Sequence, residues 1–313
     1  MAAFRLLRRS ITLAILATLA ACSCAADELP FQLYSLETHD IESTIVGRTF
    51  HITVQLPIRL KDGSERFPVI YVPDAQTGSR FEEMDLWMQW AGEVPRFIAV
   101  NIGYPSWAEW QLRQRDFTPT DTGPITGYSG GLIDIESAVI EGAKSGGAVE
   151  FLAFIRKELK PFIDKNYPTI ATDNGYFGHS KAGLFGMYVL LNQPETFSRY
   201  ILGSPSLYWD DGLMLKQAES LVASGKSVSA KLFLGAGSLE NENTISNLLE
   251  MAAVLEKVEG LEVATRIFQD ESHATVYSLT YSHGVRWAYP EAETNFLKAY
   301  ETAMKDQAQS GRN

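Results

Sequence analysis

The segment Tyr176-Phe177-Gly178-His179-Ser180-Lys181-Ala182-Gly183 sets a serine between small residues, where a short apolar run meets a helical pattern that ends before Pro194. A serine hydroxyl is a poor nucleophile unless the chain holds it at an exposed, strained corner beside a base. Small neighbours let the backbone make that corner, and the N-terminus of the helix behind it favours developing negative charge. Gly178 and Ala182 occupy the two flanking positions, alanine standing where glycine is usual. Ser180 is therefore the candidate nucleophile, and the chemistry it suits is attack on a carbonyl carbon.

The chain has five histidines, few enough for elimination. His39 precedes the first strand pattern and His51 lies within it. His179 adjoins the nucleophile, with its side chain expected to point away and pack beneath the corner. His283 falls inside a helical segment. His273 follows a strand pattern over 261–268 and precedes a helix, which is where the order serine, acid, histidine puts the base. The acid that holds the imidazole should lie between them, at the C-terminal edge of the sheet. Ala236-Gly237-Ser238-Leu239-Glu240-Asn241-Glu242 offers two carboxylates, Glu240 as first choice and Glu242 in reserve, and either could instead open the following helix. Two backbone N–H groups should receive the oxyanion, that of Lys181 and that of Gln76 in the loop Pro73-Asp74-Ala75-Gln76. The Lys181 side chain is read as a solvated helix residue.

Positioning these groups requires a sheet and helices. Phe50, Ile52, Val54 and Leu56 alternate with His51, Thr53 and Gln55, the period of a strand with one wet face. Nearly continuous apolar runs at 67–72, 97–102, 176–178 and 232–235 suit strands covered by helices on both faces. Val149, Leu152, Ile155, Leu159 and Ile163 recur at helical spacing, with Ser145 as a possible cap. Further helical patterns run over 181–191, 244–258 and 291–306, giving a βαβα order and a mostly parallel central sheet. One domain accounts for residues 30–305. The glycine-rich stretch 121–147 breaks the alternation and reads as a long loop, either a lid or a solvated excursion.

The composition fits a globular protein: 45% hydrophobic and 21% charged over 313 residues. The N-terminus reads as an export signal over 1–25, with Arg5, Arg8 and Arg9 before an uncharged apolar run from Ile11 to Ala21. Leu19-Ala20-Ala21-Cys22 resembles a bacterial lipobox, which would place a lipid on Cys22; ordinary cleavage after Ala25 is the alternative. Either route exports the protein, to the periplasm or to a lipid anchor at the cell envelope. Cys22 and Cys24 are the only cysteines, so the folded part can build neither a disulfide framework nor a cysteine metal site. The formal charge of −11 becomes more negative once the leader's arginines are removed, which disfavours nucleic acid as partner.

With these positions fixed, the chain resembles the Putative esterase family, which contains esterase D, the enterochelin and bacillibactin esterases and the mycolyltransferases. Its exported members related to siderophore esterases are the most similar. Phe67 to Asp74, Arg113-Gln114-Arg115-Asp116-Phe117-Thr118-Pro119, Phe151 to Tyr167, Ser180 to Ser206 and Glu271-Ser272-His273 to Arg286 carry the likeness. Ala75 and Ala182 depart from it, each replacing a usual glycine. The resemblance implies an α/β-hydrolase fold and a serine-dependent carboxylic ester hydrolase working through an acyl-enzyme, with no metal or organic cofactor. The substrate would be a siderophore trilactone, or alternatively an acetyl or feruloyl ester of a polysaccharide, or an acyl group passed to a sugar. Arg113, Arg115, Tyr208 and Trp209 are candidate substrate contacts, with core packing or a structural pair with Asp116 as the alternative. A rival of another class is a catalytically silent surface protein that captures a ligand on the same fold.

Overall fold

The computed structural model describes residues 35–57, 65–77, 81–106, 109, 112–123 and 144–290. The export signal and Cys22, most of the 121–147 loop, and the helix expected over 291–306 lie outside the described residues.

The described strands form one sheet in the order β1-β2-β4-β3-β5-β6-β7-β8, with β1 (Ser35–Ser43), β2 (Arg48–Leu56), β3 (Phe67–Pro73), β4 (Ile98–Gly103), β5 (Thr169–His179), β6 (Arg199–Gly203), β7 (Ala230–Gly237) and β8 (Leu261–Phe268). β1 pairs antiparallel with β2 and β2 with β4, and every pairing from β4 through β3 to β8 is parallel. The apolar runs are the buried parallel strands, as side chains alternating between two covered faces require.

Helices bury both faces. On one side α1 (Glu82–Trp90) and α8 (Val276–Ala288) pack Met88, Val276, Tyr281 and Val285 with Ile70, Phe177, Ile201 and Phe233. The other side takes α3 (Ala148–Phe154), which continues through a π turn (Ile155–Leu159) into α4 (Lys160–Asn166), together with α5 (Lys181–Asn192), α6 (Trp209–Ser224) and α7 (Glu242–Leu255). The short α2 (Arg113–Asp116) adjoins α3.

Two expectations are corrected. Thr53 and Gln55 do not face water: both are buried, and Gln55 Nε2 donates to the carbonyl of Glu82 in α1, which covers that face of β2. Ser145 does not cap α3. Its Oγ accepts from the Thr122 N–H at 2.8 Å, and Gly147 stands at the cap position.

The parallel strands β3, β5, β6, β7 and β8 point their C-terminal ends at one edge of the sheet. Asp74, Ser180, Ser204 and Asp270 follow the ends of β3, β5, β6 and β8, and all four have positive φ, from 40° to 65°. Among the described residues the other two non-glycine cases are Asp210 and Asp211. Such conformations cost of order 1–3 kcal/mol each and persist only where the surroundings impose them. Their concentration marks this edge as the place where the chain is bent for a purpose.

Candidate active site

Ser180 occupies the turn between β5 and α5 with φ 58° and ψ −118°. Its N–H donates to the Gly203 carbonyl at 2.8 Å, and its carbonyl accepts from Leu184 N at 2.9 Å and from Ser206 N at 3.1 Å, so the corner is locked to the end of β6. Gly178 is required for closure, because a Cβ there would overlap the Ala182 carbonyl. That same carbonyl accepts from Tyr176 Oη at 2.7 Å, and Ala182, at a position where glycine is usual, is itself buried.

His273 lies in the loop after β8, and its Nδ1 is 2.7 Å from Oε2 of Glu240, in the loop after β7. The pair is asymmetric in exposure, the Glu240 side chain being 3% exposed and that of His273 48%. Oε1 of Glu240 accepts from Ser204 Oγ at 2.5 Å and from the Gly237 N–H at 2.9 Å. Burial pushes the Glu240 carboxyl up, but the hydrogen bonds from His273, Ser204 and Gly237 together hold it below the usual glutamate range. A buried, ionised acid with both oxygens hydrogen-bonded fixes the imidazole facing it. Glu242 instead begins α7 in solvent.

The other histidines have different surroundings. His39 meets Tyr167 Oη at 2.5 Å, His51 meets Asp40 at 2.7 Å, and His283 meets Arg266 at 3.0 Å. His179 packs its ring 4.5 Å from that of His273 and 5.2 Å from that of Tyr277. Burial, followed by the neighbouring His273, lowers its pKa to about 3, so it is a neutral packing group at ordinary pH. Gly203 makes room for it, since a Cβ there would come 2.7 Å from His179 Nδ1.

Gln76 sits in a 3₁₀ turn (Ala75–Thr77) just past β3, and its side-chain amide donates to the Tyr104 carbonyl, which anchors the turn. Asp74 precedes it and is held by Arg113, whose Nε donates to Oδ1 at 2.6 Å while Nη2 donates to Oδ2. The side chain of Arg113, a candidate substrate contact, is thus 13% exposed, and its guanidinium pairs with both oxygens of Asp74. Arg115 also meets a carboxylate. It donates to Asp116 Oδ1 at 3.0 Å, and buried Asp116 also accepts from Tyr104 Oη at 2.9 Å and Arg48 at 3.2 Å. Trp209 spends its indole N–H on Thr120 Oγ1 at 3.0 Å. Tyr208 is 61% exposed and borders a cleft of about 300 Å³ that Leu207, Asp211, Leu215 and Asn247 also line. Lys181 is half-buried, not solvated.

Sequence reasoning missed Ser204 and the Asp74–Arg113 pair. Ser204 carried one signal, a small polar residue before proline at the end of a buried run. The pair can be tested for a structural role. Arg113→Met removes the guanidinium paired with a buried carboxylate and is expected to cost about 3–5 kcal/mol of stability. Chemical denaturation of the variant checks it; an unchanged unfolding midpoint with a raised KM would make Arg113 a ligand contact.

Residues 126–287 match the family described as Putative esterase. The ferri-bacillibactin esterase BesA of Bacillus subtilis is 31% identical over 274 residues, spanning 82% of this chain and 91% of that protein. A siderophore triacetylfusarinine C esterase of Aspergillus fumigatus is 25% identical over 275 residues, 76% of this chain and 88% of that one. Among solved structures, an IroE-like serine hydrolase from Shewanella oneidensis superposes with a TM-score of 0.68 at 26% identity, covering 82% of this chain and 80% of the other. The sheet order, the helices on both faces and these similarities agree: the chain belongs to the Putative esterase family and is an ester hydrolase of the α/β-hydrolase fold.

Proposed function

We propose that the protein is an exported siderophore esterase in which Ser180, His273 and Glu240 form the catalytic triad. The observation that carries this is the 2.7 Å contact between His273 Nδ1 and the enclosed Glu240 carboxylate, one ring away from the residue preceding Ser180. With Nδ1–H donated to Glu240, the Nε2 lone pair is left to take the Ser180 proton. The hydroxyl attacks the ester carbonyl, the backbone N–H groups of Lys181 and Gln76 receive the oxyanion, and His273 returns the proton to the leaving alcohol. Water, deprotonated by His273, then releases the acid.

The siderophore assignment is supported by the names of the relatives matched over most of the chain. Tyr208 and its cleft offer an aromatic face beside the segment hydrogen-bonded to Ser180. Export is supported by the basic and apolar order of residues 1–25. Turnover on a panel of an iron-loaded catecholate trilactone, an acetylated xylan and a short-chain p-nitrophenyl ester tests the reading. The trilactone is expected to have the highest kcat/KM, by about 10-fold or more, a gap worth about 1.4 kcal/mol of transition-state binding. A panel led by the xylan would reassign the substrate to polysaccharide esters. No reaction of well-folded protein with an active-site fluorophosphonate would favour the silent binder.

A further inference from the structure

Lys181 opens α5 directly after Ser180, so its ammonium and the N–H assigned to the oxyanion leave the same residue. A lysine on an exposed helix face needs no explanation, but this one is half-buried. Its surroundings disfavour a cation on several counts. It stands at the positive end of α5, whose first turn holds no acidic residue. Asp74 is the carboxylate that acts on it, and both oxygens of Asp74 are engaged by Arg113. The Arg113 guanidinium adds a second positive charge. Among the described residues no ion pair or hydrogen bond holds the Lys181 side chain. Burial first, and Arg113 second, outweigh the pull of Asp74 and bring the ammonium down to about 8, so it is still mostly charged at neutral pH.

The enzyme thus keeps a half-desolvated cation, with no ion pair of its own among the described residues, on the residue that follows the reacting serine. A charge taken partly out of water without an ion pair carries a penalty that a bound anion would reduce. We propose that Lys181 is a specificity residue that selects esters bearing an anionic group, a carboxylate or phenolate, within a lysine side chain's reach of the scissile carbonyl. The proposal rests on Ser180 as nucleophile and adds what the other half of the substrate must carry.

The test uses the mature protein and two p-nitrophenyl esters of equal length, the glutarate monoester, which is anionic, and the neutral valerate. The measured quantity is the ratio of kcat/KM for the anionic over the neutral ester. In Lys181→Met this ratio is expected to fall about 10- to 100-fold, the range of one charge-assisted hydrogen bond, and Lys181→Arg should recover most of it. In wild type the ratio should also fall as pH rises through about 8, where Lys181 loses its proton under the influence of Arg113 and Asp74. A ratio that moves less than about twofold in Lys181→Met, within the context-dependence of a weak interaction, overturns the proposal and leaves the esterase reading intact. So does wild type that cleaves neither ester while Ser180 still reacts with a fluorophosphonate. Failure of Ser180 to react at all removes the nucleophile assignment, and this proposal with it.

Discussion

Ser180→Ala is expected to lower kcat/KM on any accepted ester by about 10⁵- to 10⁶-fold, the loss typical when a nucleophile acting as one unit with its base is removed. The fold should survive, since the Ser180 backbone, and not its hydroxyl, makes the recorded bonds to Gly203, Leu184 and Ser206. Ser180→Gly separates chemistry from strain. The native residue holds φ 58° and ψ −118°, a conformation that burdens any residue with a Cβ. Glycine should therefore inactivate as fully as alanine while raising stability by about 1 kcal/mol or more. Kinetics together with calorimetry on the two variants checks both halves. Ser180→Ala retaining more than a few per cent of wild-type turnover would remove the serine from the chemistry. A glycine variant less stable than wild type would mean that the corner is not strained.

That strain is also a measure of what the sequence made legible. The corner could be read from Gly178 to Gly183 because everything it needs is local: a buried strand, small flanking residues and a helix. The parallel strands were legible for a similar reason, since helices on both faces leave an uninterrupted apolar run. The edge was harder. β1 carries Glu37, Asp40 and Glu42 over Ser35–Ser43, mostly exposed, and so shows no apolar pattern. β2 looked half-wet because its second cover, the Glu82 carbonyl of α1, lies 27 residues away from Gln55. The pairing of Arg113 went unread because its partner Asp74 is 39 residues distant, and Ser204 escaped notice because its partner Glu240 is 36 residues on. In each case a polar side chain was visible but its closure partner was not. Charged residues are ambiguous in a sequence for this reason: pairing decides whether they are structure or function, and pairing is a property of the folded chain.

The Glu240–His273 contact rests on such a closure, and Glu240→Gln tests it with the least disturbance. Glutamine keeps the shape, and its carbonyl oxygen can still accept from Ser204 Oγ and the Gly237 N–H, which now meet Oε1. Its NH₂ then faces His273 Nδ1, which is 2.7 Å from Oε2 in the native protein. A donor in that place favours the tautomer with the proton on Nε2, so the nitrogen that should accept the Ser180 proton already carries one. The expected loss in kcat is about 10³- to 10⁴-fold, with KM changed far less, because the imidazolium of the transition state also loses its counter-charge. Glu240→Ala should be worse for stability as well, leaving the buried Ser204 hydroxyl and Gly237 amide without an acceptor at about 1–3 kcal/mol. Glu242→Gln provides the comparison, since that residue begins α7 in solvent and touches none of these groups. Steady-state kinetics on the three variants decides the assignment: near-native kcat in Glu240→Gln would show that His273 does not depend on this carboxylate.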